Sequence, residues 1–150
     1  MNPEKSVLIY IFVYFSDFLP STFFKMSWQS YVDDQLIATK VIKDAIICGH
    51  DGNVWATSPG LSATPAELKT IITNLGNSEA LVNGVTLAGI KYMYLSGNEK
   101  VIRARKGTSG IHVMKTVQAV IVCRYEEPIV AEQAATVTEK LGDYLISVGY

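Results

Sequence analysis

A chain of 150 residues is long enough to bury one real core and short enough to form a single domain. Its 49% apolar and 18% charged content excludes an intrinsically disordered chain. A formal net charge of −1 gives no general reason to expect nucleic-acid binding, so any anionic partner has to be met by a local basic patch.

The chain opens on sequence of a different kind. All five phenylalanines (Phe12, Phe15, Phe18, Phe23 and Phe24) fall within residues 1–25, together with Tyr10 and Tyr14. The apolar run Val7–Phe15 is shorter than the about 20 residues that a membrane-spanning helix needs. Lys5 precedes it as in a secretory leader, but Glu4 cancels that charge, and Ser16-Asp17-Phe18-Leu19-Pro20-Ser21 offers no small-x-small cleavage pattern. Lys25-Met26-Ser27-Trp28 suggests instead that Met26 is the natural start. Residues 1–25 are therefore set apart as an apolar extension outside the fold, with a targeting segment and an accessory arm as the alternatives. Residues 26–150 form the domain.

Ser27 is a suitable helix N-cap, and Trp28, Tyr31, Val32, Gln35 and Leu36 then share one helical face. Lys43–Cys48 reads as a buried strand, and Asp51-Gly52-Asn53 as a turn leading into Val54–Thr57. Thr64-Pro65-Ala66-Glu67 is a capping box with proline at the first helical position, and Leu68, Ile71, Ile72 and Leu75 supply its apolar stripe. Short strands follow over Val85–Leu87, Lys91–Leu95, Lys100–Arg105, Ile111–Lys115 and Val117–Arg124, joined by turn-rich segments as in an antiparallel meander. A last helix runs from about Ala131 to Val148, with Val137, Leu141, Tyr144, Leu145 and Val148 on one face. This order predicts an α+β fold, an antiparallel sheet flanked by helices, and not repeated βαβ units.

The pattern carries no catalytic constellation. His50 and His112 have no serine or cysteine partner at a motif spacing, Gly49-His50-Asp51-Gly52 lacks the Gly-Lys-Ser/Thr of a phosphate loop, and Glu126-Glu127 reads as a solvated strand end. The chain is therefore read as a non-enzyme without a cofactor. Cys48 and Cys123 lack CxxC or CxxH neighbours and sit in apolar runs, as small hydrophobes with reduced thiols, which suits a cytosolic protein.

Two features point to binding. Trp28, Tyr31, Trp55, Tyr144 and Tyr150 form a shallow aromatic groove if the terminal helices lie side by side. Such grooves recognise polyproline-II segments, because stiff proline rings stack on aromatics at little entropic cost. The alternative is that these rings only pack between helix and sheet. The second feature is a cationic strand, in which Arg103 and Arg105 alternate with Ile102 and Ala104 and so share a face that is read as the outer one. With Lys91, Lys106 and Lys115 nearby, this surface either docks an acidic protein surface or phosphoinositide head groups, or is simply solvated.

Residues 26–150 also resemble the profilins. Met26-Ser27-Trp28-Gln29-Ser30-Tyr31-Val32-Asp33 looks like their amino-terminal signature, Gly52-Asn53-Val54-Trp55-Ala56 their hairpin, and Leu87-Ala88-Gly89-Ile90-Lys91-Tyr92 their central strand region. Lys106-Gly107-Thr108-Ser109-Gly110-Ile111, Tyr125-Glu126-Glu127-Pro128 and Glu139-Lys140-Leu141-Gly142-Asp143-Tyr144-Leu145-Ile146 complete the pattern in the right order. The ending Asp143–Ile146 is similar to plant, fungal and amoeboid members, and the fungal type is favoured.

The resemblance implies a central antiparallel sheet with the N- and C-terminal helices on one face and smaller helices on the other. It implies a cytoplasmic, cytoskeletal protein that binds monomeric actin and proline-rich proteins such as formin-type elongation factors, and phosphoinositide lipids through overlapping basic residues. By position, Trp28, Tyr31, Trp55, Tyr144, Leu145 and Tyr150 match the proline-binding surface; Tyr144 stands where vertebrate members carry a histidine. Lys91, Arg103, Arg105, Lys106, Lys115 and, at the start of the last helix, Thr136 fall on the actin-facing side. Ala134-Ala135-Thr136 departs from the asparagine or lysine common there, which bears on the strength of actin binding. The alternative is a peptide- or lipid-binding module of this fold that has lost actin.

Overall fold

The computed structural model describes residues 27–150 and the backbone of Ile9–Tyr10 and Lys25–Met26. Those two segments form a separate antiparallel ladder that pairs Ile9 with Met26 and Tyr10 with Lys25. The other expectations about residues 1–25 lie outside the described residues.

The first helix, α1 (residues 28–39), starts because Ser27 is extended and its side chain accepts a hydrogen bond from the Ser30 amide. It passes from an α turn, Trp28–Ser30, through a π segment, Tyr31–Leu36, to a 3-10 turn, Ile37–Thr39. Lys40 ends it in the left-handed conformation, at φ 65°. Helix α2, Pro65–Thr73, carries the complete capping box between Thr64 and Glu67. A short helix that the periodicity did not reveal, α3 (Ser78–Leu81), is capped by the Asn77 side chain. The last helix, α4, covers Ala131–Ser147.

Seven strands form one antiparallel sheet: β1 Asp44–Gly49, β2 Val54–Thr57, β3 Val85–Leu87, β4 Ile90–Gly97, β5 Val101–Lys106, β6 Ser109–Lys115 and β7 Ala119–Glu126. Their spatial order is β2-β1-β7-β6-β5-β4-β3. The meander β3 to β7 thus runs in sequence, and the early hairpin β1–β2 closes beside β7, pairing Ala45 with Cys123 and Ile47 with Ile121.

Both faces of the sheet are covered, which explains why β1 and β7 read as unbroken apolar runs instead of alternating. Ala45, Ile47, Ile121 and Cys123 face a core closed by α1 and α4. Ile46, Cys48, Val120 and Val122 face a second core, closed by Leu68 and Ile71 of α2 and Leu81 of α3. This is the predicted α+β arrangement, with the terminal helices on one face and the smaller helices on the other. Burial pushes the thiols of Cys48 and Cys123 up to about 12, in keeping with unreactive core residues; both are free.

Helix α4 lies close to the sheet because its inner face is made of small residues. Ala134, Ala135, Thr138 and Gly142 are buried there beside Leu141 and Leu145, whereas Val148, expected on the buried face, is exposed. The edge of the second core holds a buried ion pair: Arg124 donates from Nε and Nη2 to Asp44 Oδ2 at 3.0 and 2.6 Å, and from Nη1 to Glu126 Oε1 at 2.7 Å. The Ser58 hydroxyl donates to the other Asp44 oxygen, so the buried carboxylate is fully engaged.

Candidate binding surfaces

The six residues expected to bind proline converge where α1, β2 and the end of α4 meet. The α1 N-cap places Trp28 over the sheet, and the Gln29 side chain donates to Thr57 O at 3.0 Å, fastening α1 to β2. Trp28 then lies 4.7 Å from Trp55, 5.7 Å from Tyr31 and 5.5 Å from Tyr150, centroid to centroid, with the Tyr150 ring edge-on. Tyr144 and Leu145 belong to the same cluster.

Their exposure is uneven. Trp28, Tyr31 and Leu145 are at most 1% exposed and form a floor that belongs to the core, while Trp55, Tyr144 and Tyr150 are half-buried and form a rim. Stacking and core packing are therefore both realised here, by different members of the set. The Tyr31 hydroxyl is buried beside Tyr144; burial first, and Tyr144 second, raise its pKa.

The basic residues divide between the two faces of the sheet. On β5, Ile102 and Ala104 point into the second core, so Arg103 and Arg105 project on the side of α1 and α4. On β4, Tyr92 belongs to that same second core, which puts Lys91 with the arginines. On β6, Ile111 and Val113 also face the second core, so Lys115 lies on the opposite side from Arg103, as does Lys106 by alternation on β5. The expected basic surface thus resolves into Lys91, Arg103 and Arg105 on one face, with Lys106 and Lys115 apart; Thr136 is exposed on α4.

Arg103 is exposed and Arg105 half-buried, on the face of the sheet that carries α1 and α4. Each is tethered at the margin of the helical layer, Arg103 to Glu139 of α4 at 3.9 Å and Arg105 to Glu127 at 2.9 Å, with Arg105 Nε also donating to Gly107 O. Such exposed pairs add little stability. Beneath them His112 is 2% exposed, its Nε2 3.4 Å from Glu139 Oε2 without a hydrogen bond. Burial first, and Arg103 second, lower its pKa to about 4.

Sequence reasoning missed two neighbours of this surface. Met93 and Leu95 are 65% and 50% exposed on β4, where Met93 pairs with Arg105. Lys91-Tyr92-Met93-Tyr94-Leu95 is apolar at both parities from Tyr92 onward, so alternation could not tell the buried Tyr92 and half-buried Tyr94 from the exposed Met and Leu.

A small α+β domain with an aromatic cluster between its terminal helices and a tethered cationic patch beside the last helix defines a two-surface binding protein. The comparisons name the family. The profilin family model matches residues 26–150. The profilin of Drosophila melanogaster is 56% identical over 126 residues, 83% of this chain and 100% of that protein. The solved Acanthamoeba castellanii profilin IB is 43% identical with a TM-score of 0.79, and the Schizosaccharomyces pombe profilin 33% identical with a TM-score of 0.78, each covering 83% of this chain and 100% of the other. This chain belongs to the profilin family. Of the three, the insect protein is the most similar, ahead of the fungal one.

Proposed function

We infer that this chain binds monomeric actin and proline-rich segments, and by joining the two regulates actin filament assembly. Proline-rich proteins such as formin-type elongation factors take the aromatic cluster: proline rings stack on Trp55, Tyr144 and Tyr150 over the floor of Trp28, Tyr31 and Leu145. Actin takes the side of Lys91, Arg103, Arg105 and Thr136, with Met93 and Leu95 as its apolar part. The observation that carries this reading is the convergence of Trp28, Trp55 and Tyr150 from three separate elements within a chain of the profilin family. The two surfaces involve different residues, so one molecule can hold an actin monomer and a proline-rich partner together and raise the monomer's local concentration at a filament end. The chain acts by binding and not by catalysis, in the cytoplasm and at the cytoskeleton; among the described residues no helix is long and apolar enough to cross a membrane. Phosphoinositide head groups would compete with actin for the same arginines.

The test is binding of a poly-L-proline peptide to residues 1–150 and to residues 26–150, followed by tryptophan fluorescence, with actin monomers titrated in parallel. Full-length relatives that correspond to the shorter form exist as complete proteins, so it is expected to fold. Equal proline binding supports the groove and makes residues 1–25 incidental to it. Binding by the shorter form alone means that the extension masks the site. Binding by neither removes the proline-binding half of the reading, and a folded chain that ignores actin removes the other half.

A further inference from the structure

The proline-binding reading leaves open what holds Tyr150 in the cluster, since this residue lies beyond the end of α4 and after Gly149, which has a left-handed φ of 92°. The helix end itself begins to turn this segment back, Gly149 N donating to Ile146 O at 3.1 Å around the left-handed glycine. The contacts that then fix the last residue from outside the helix come from a different part of the chain, the hairpin turn between β6 and β7.

That turn grips the main chain of residues 149 and 150 at several points. The Gln118 amide donates to Tyr150 O at 2.5 Å, and the Thr116 hydroxyl lies 2.6 Å from the same oxygen. The Gln118 side-chain amide donates to Gly149 O at 2.9 Å. The Thr116 hydroxyl has a single proton and two acceptors in reach, Tyr150 O and Ala119 O at 3.1 Å. Ala119 O already receives the Thr116 amide at 2.8 Å, and the Ala119 amide donates back to the Thr116 oxygen, so the proton goes to the shorter contact, on Tyr150. The Tyr150 amide in turn donates to Leu145 O at 2.8 Å. With its backbone held on both sides, the Tyr150 ring has Trp28 as its edge-on neighbour.

We propose that the β6–β7 turn, through Thr116 and Gln118, is a latch that positions Tyr150 in the proline-binding cluster. Neither residue belongs to that cluster; both are positioning residues that act through the backbone of Tyr150. The inference rests on the proline-binding reading above and assigns to it a determinant far from the aromatic residues in sequence. It follows that changes in this turn alter affinity for proline-rich partners while leaving the actin side, built on other strands, untouched.

The experiment measures poly-L-proline affinity of the full chain carrying Gln118→Glu, which keeps the backbone bond but replaces the donor to Gly149 O with an acceptor, and carrying Thr116→Val and Thr116→Ser. Thr116 is buried and also braces its own turn, so Gln118→Glu, at an exposed position, is the primary variant. Gln118→Glu and Thr116→Val are expected to weaken binding about two- to tenfold, the range of one or two lost hydrogen bonds, while Thr116→Ser retains it. Actin affinity is expected to stay at the wild-type value. In a Tyr150→Leu background the Gln118→Glu effect is expected to vanish, because the latch then holds no aromatic ring; a general loss of stability would weaken both backgrounds alike. Wild-type binding that is unchanged by Gln118→Glu, or weakened equally in both backgrounds, overturns the latch and leaves the groove standing. A wild-type chain that does not bind overturns the groove reading and the latch with it.

Discussion

Trp28 and Trp55 meet ring to ring at 4.7 Å, one from the first turn of the first helix and one from the second strand. The pair shows how the two roles of this cluster are divided: Trp28 is buried to 1% exposure, whereas Trp55 keeps an open edge. Trp28→Ala therefore removes a core side chain as well as a stacking surface. It is expected to cost about 3–5 kcal/mol of folding stability and about 1–3 kcal/mol of proline-peptide binding. Trp55→Ala is expected to cost similar binding at a smaller stability loss. Urea unfolding and fluorescence titration of both variants check this, and unchanged binding in folded Trp55→Ala would remove Trp55 from the site.

Arg103 and Arg105 carry the cationic patch. Replacing both by glutamate places like charges beside Glu139 and Glu127 and reverses the field that an acidic partner meets. Actin affinity is expected to fall at least about tenfold, mostly through slower association, and the loss should shrink as salt is raised. Lys115→Glu, on the other face of the sheet, should have a much smaller effect. Stopped-flow association at two ionic strengths tests both; equal effects of the two changes would mean that the faces are assigned wrongly.

His112 links pH to stability. Its ordinary pKa of 6.5 is lowered to about 4 in the folded chain, so between these values the unfolded chain binds more protons. Stability is then expected to fall as pH drops from about 6.5 towards about 4, by up to about 1.4 kcal/mol per pH unit, with no contribution from this group above that window. His112→Met removes this part of the slope while carboxylates such as Glu126 keep theirs. Chemical denaturation of wild type and variant from pH 7.5 to 4.5 checks the difference, and parallel curves would rule out His112 as its source.

Lys40 and Ala88 adopt left-handed backbone, at φ 65° and 53°, without glycine's freedom. Lys40→Gly at the end of α1 and Ala88→Asn in the tight turn before Gly89 are each expected to stabilise the fold by about 0.5–1 kcal/mol. Thermal melts check this, and a lowered midpoint for either would show that the side chain there is worth more than the backbone relief.

At Gly110 the opposite holds. A Cβ built on it would fall on the ring and hydroxyl of the cross-strand residue Tyr125, a rigid neighbour that cannot withdraw cheaply. Gly110→Ala is expected to destabilise by about 1–3 kcal/mol. A wild-type denaturation midpoint would mean that the ring has another place to go.

Local signals carried much of this fold because its chemistry is local. The Thr64–Glu67 capping box, the Ser27 cap and the turn at Asp51-Gly52-Asn53 satisfy nearby backbone groups, so they can be read without knowing what packs above them. The apolar run Lys43–Cys48 likewise read as a buried strand, which β1 is. Helix α3 escaped because four residues hold too little of a period to read.

The site was legible as a set of residues and not as a geometry. Sequence alone determined that Trp28, Trp55, Tyr144 and Tyr150 exist as aromatic groups on the terminal helices, the early hairpin and the chain end, and that Arg103 and Arg105 share a face. Only the tertiary structure decided that Trp28 and Tyr31 lie in the floor and Trp55 in the rim, that Lys106 and Lys115 turn away from the arginines, and that Thr116 and Gln118 hold Tyr150 against Trp28. The reason is physical: periodicity tells which residues share a face of one element, but exposure, ion pairing and backbone capture depend on which other element lies above that face, and those contacts join residues far apart in the chain.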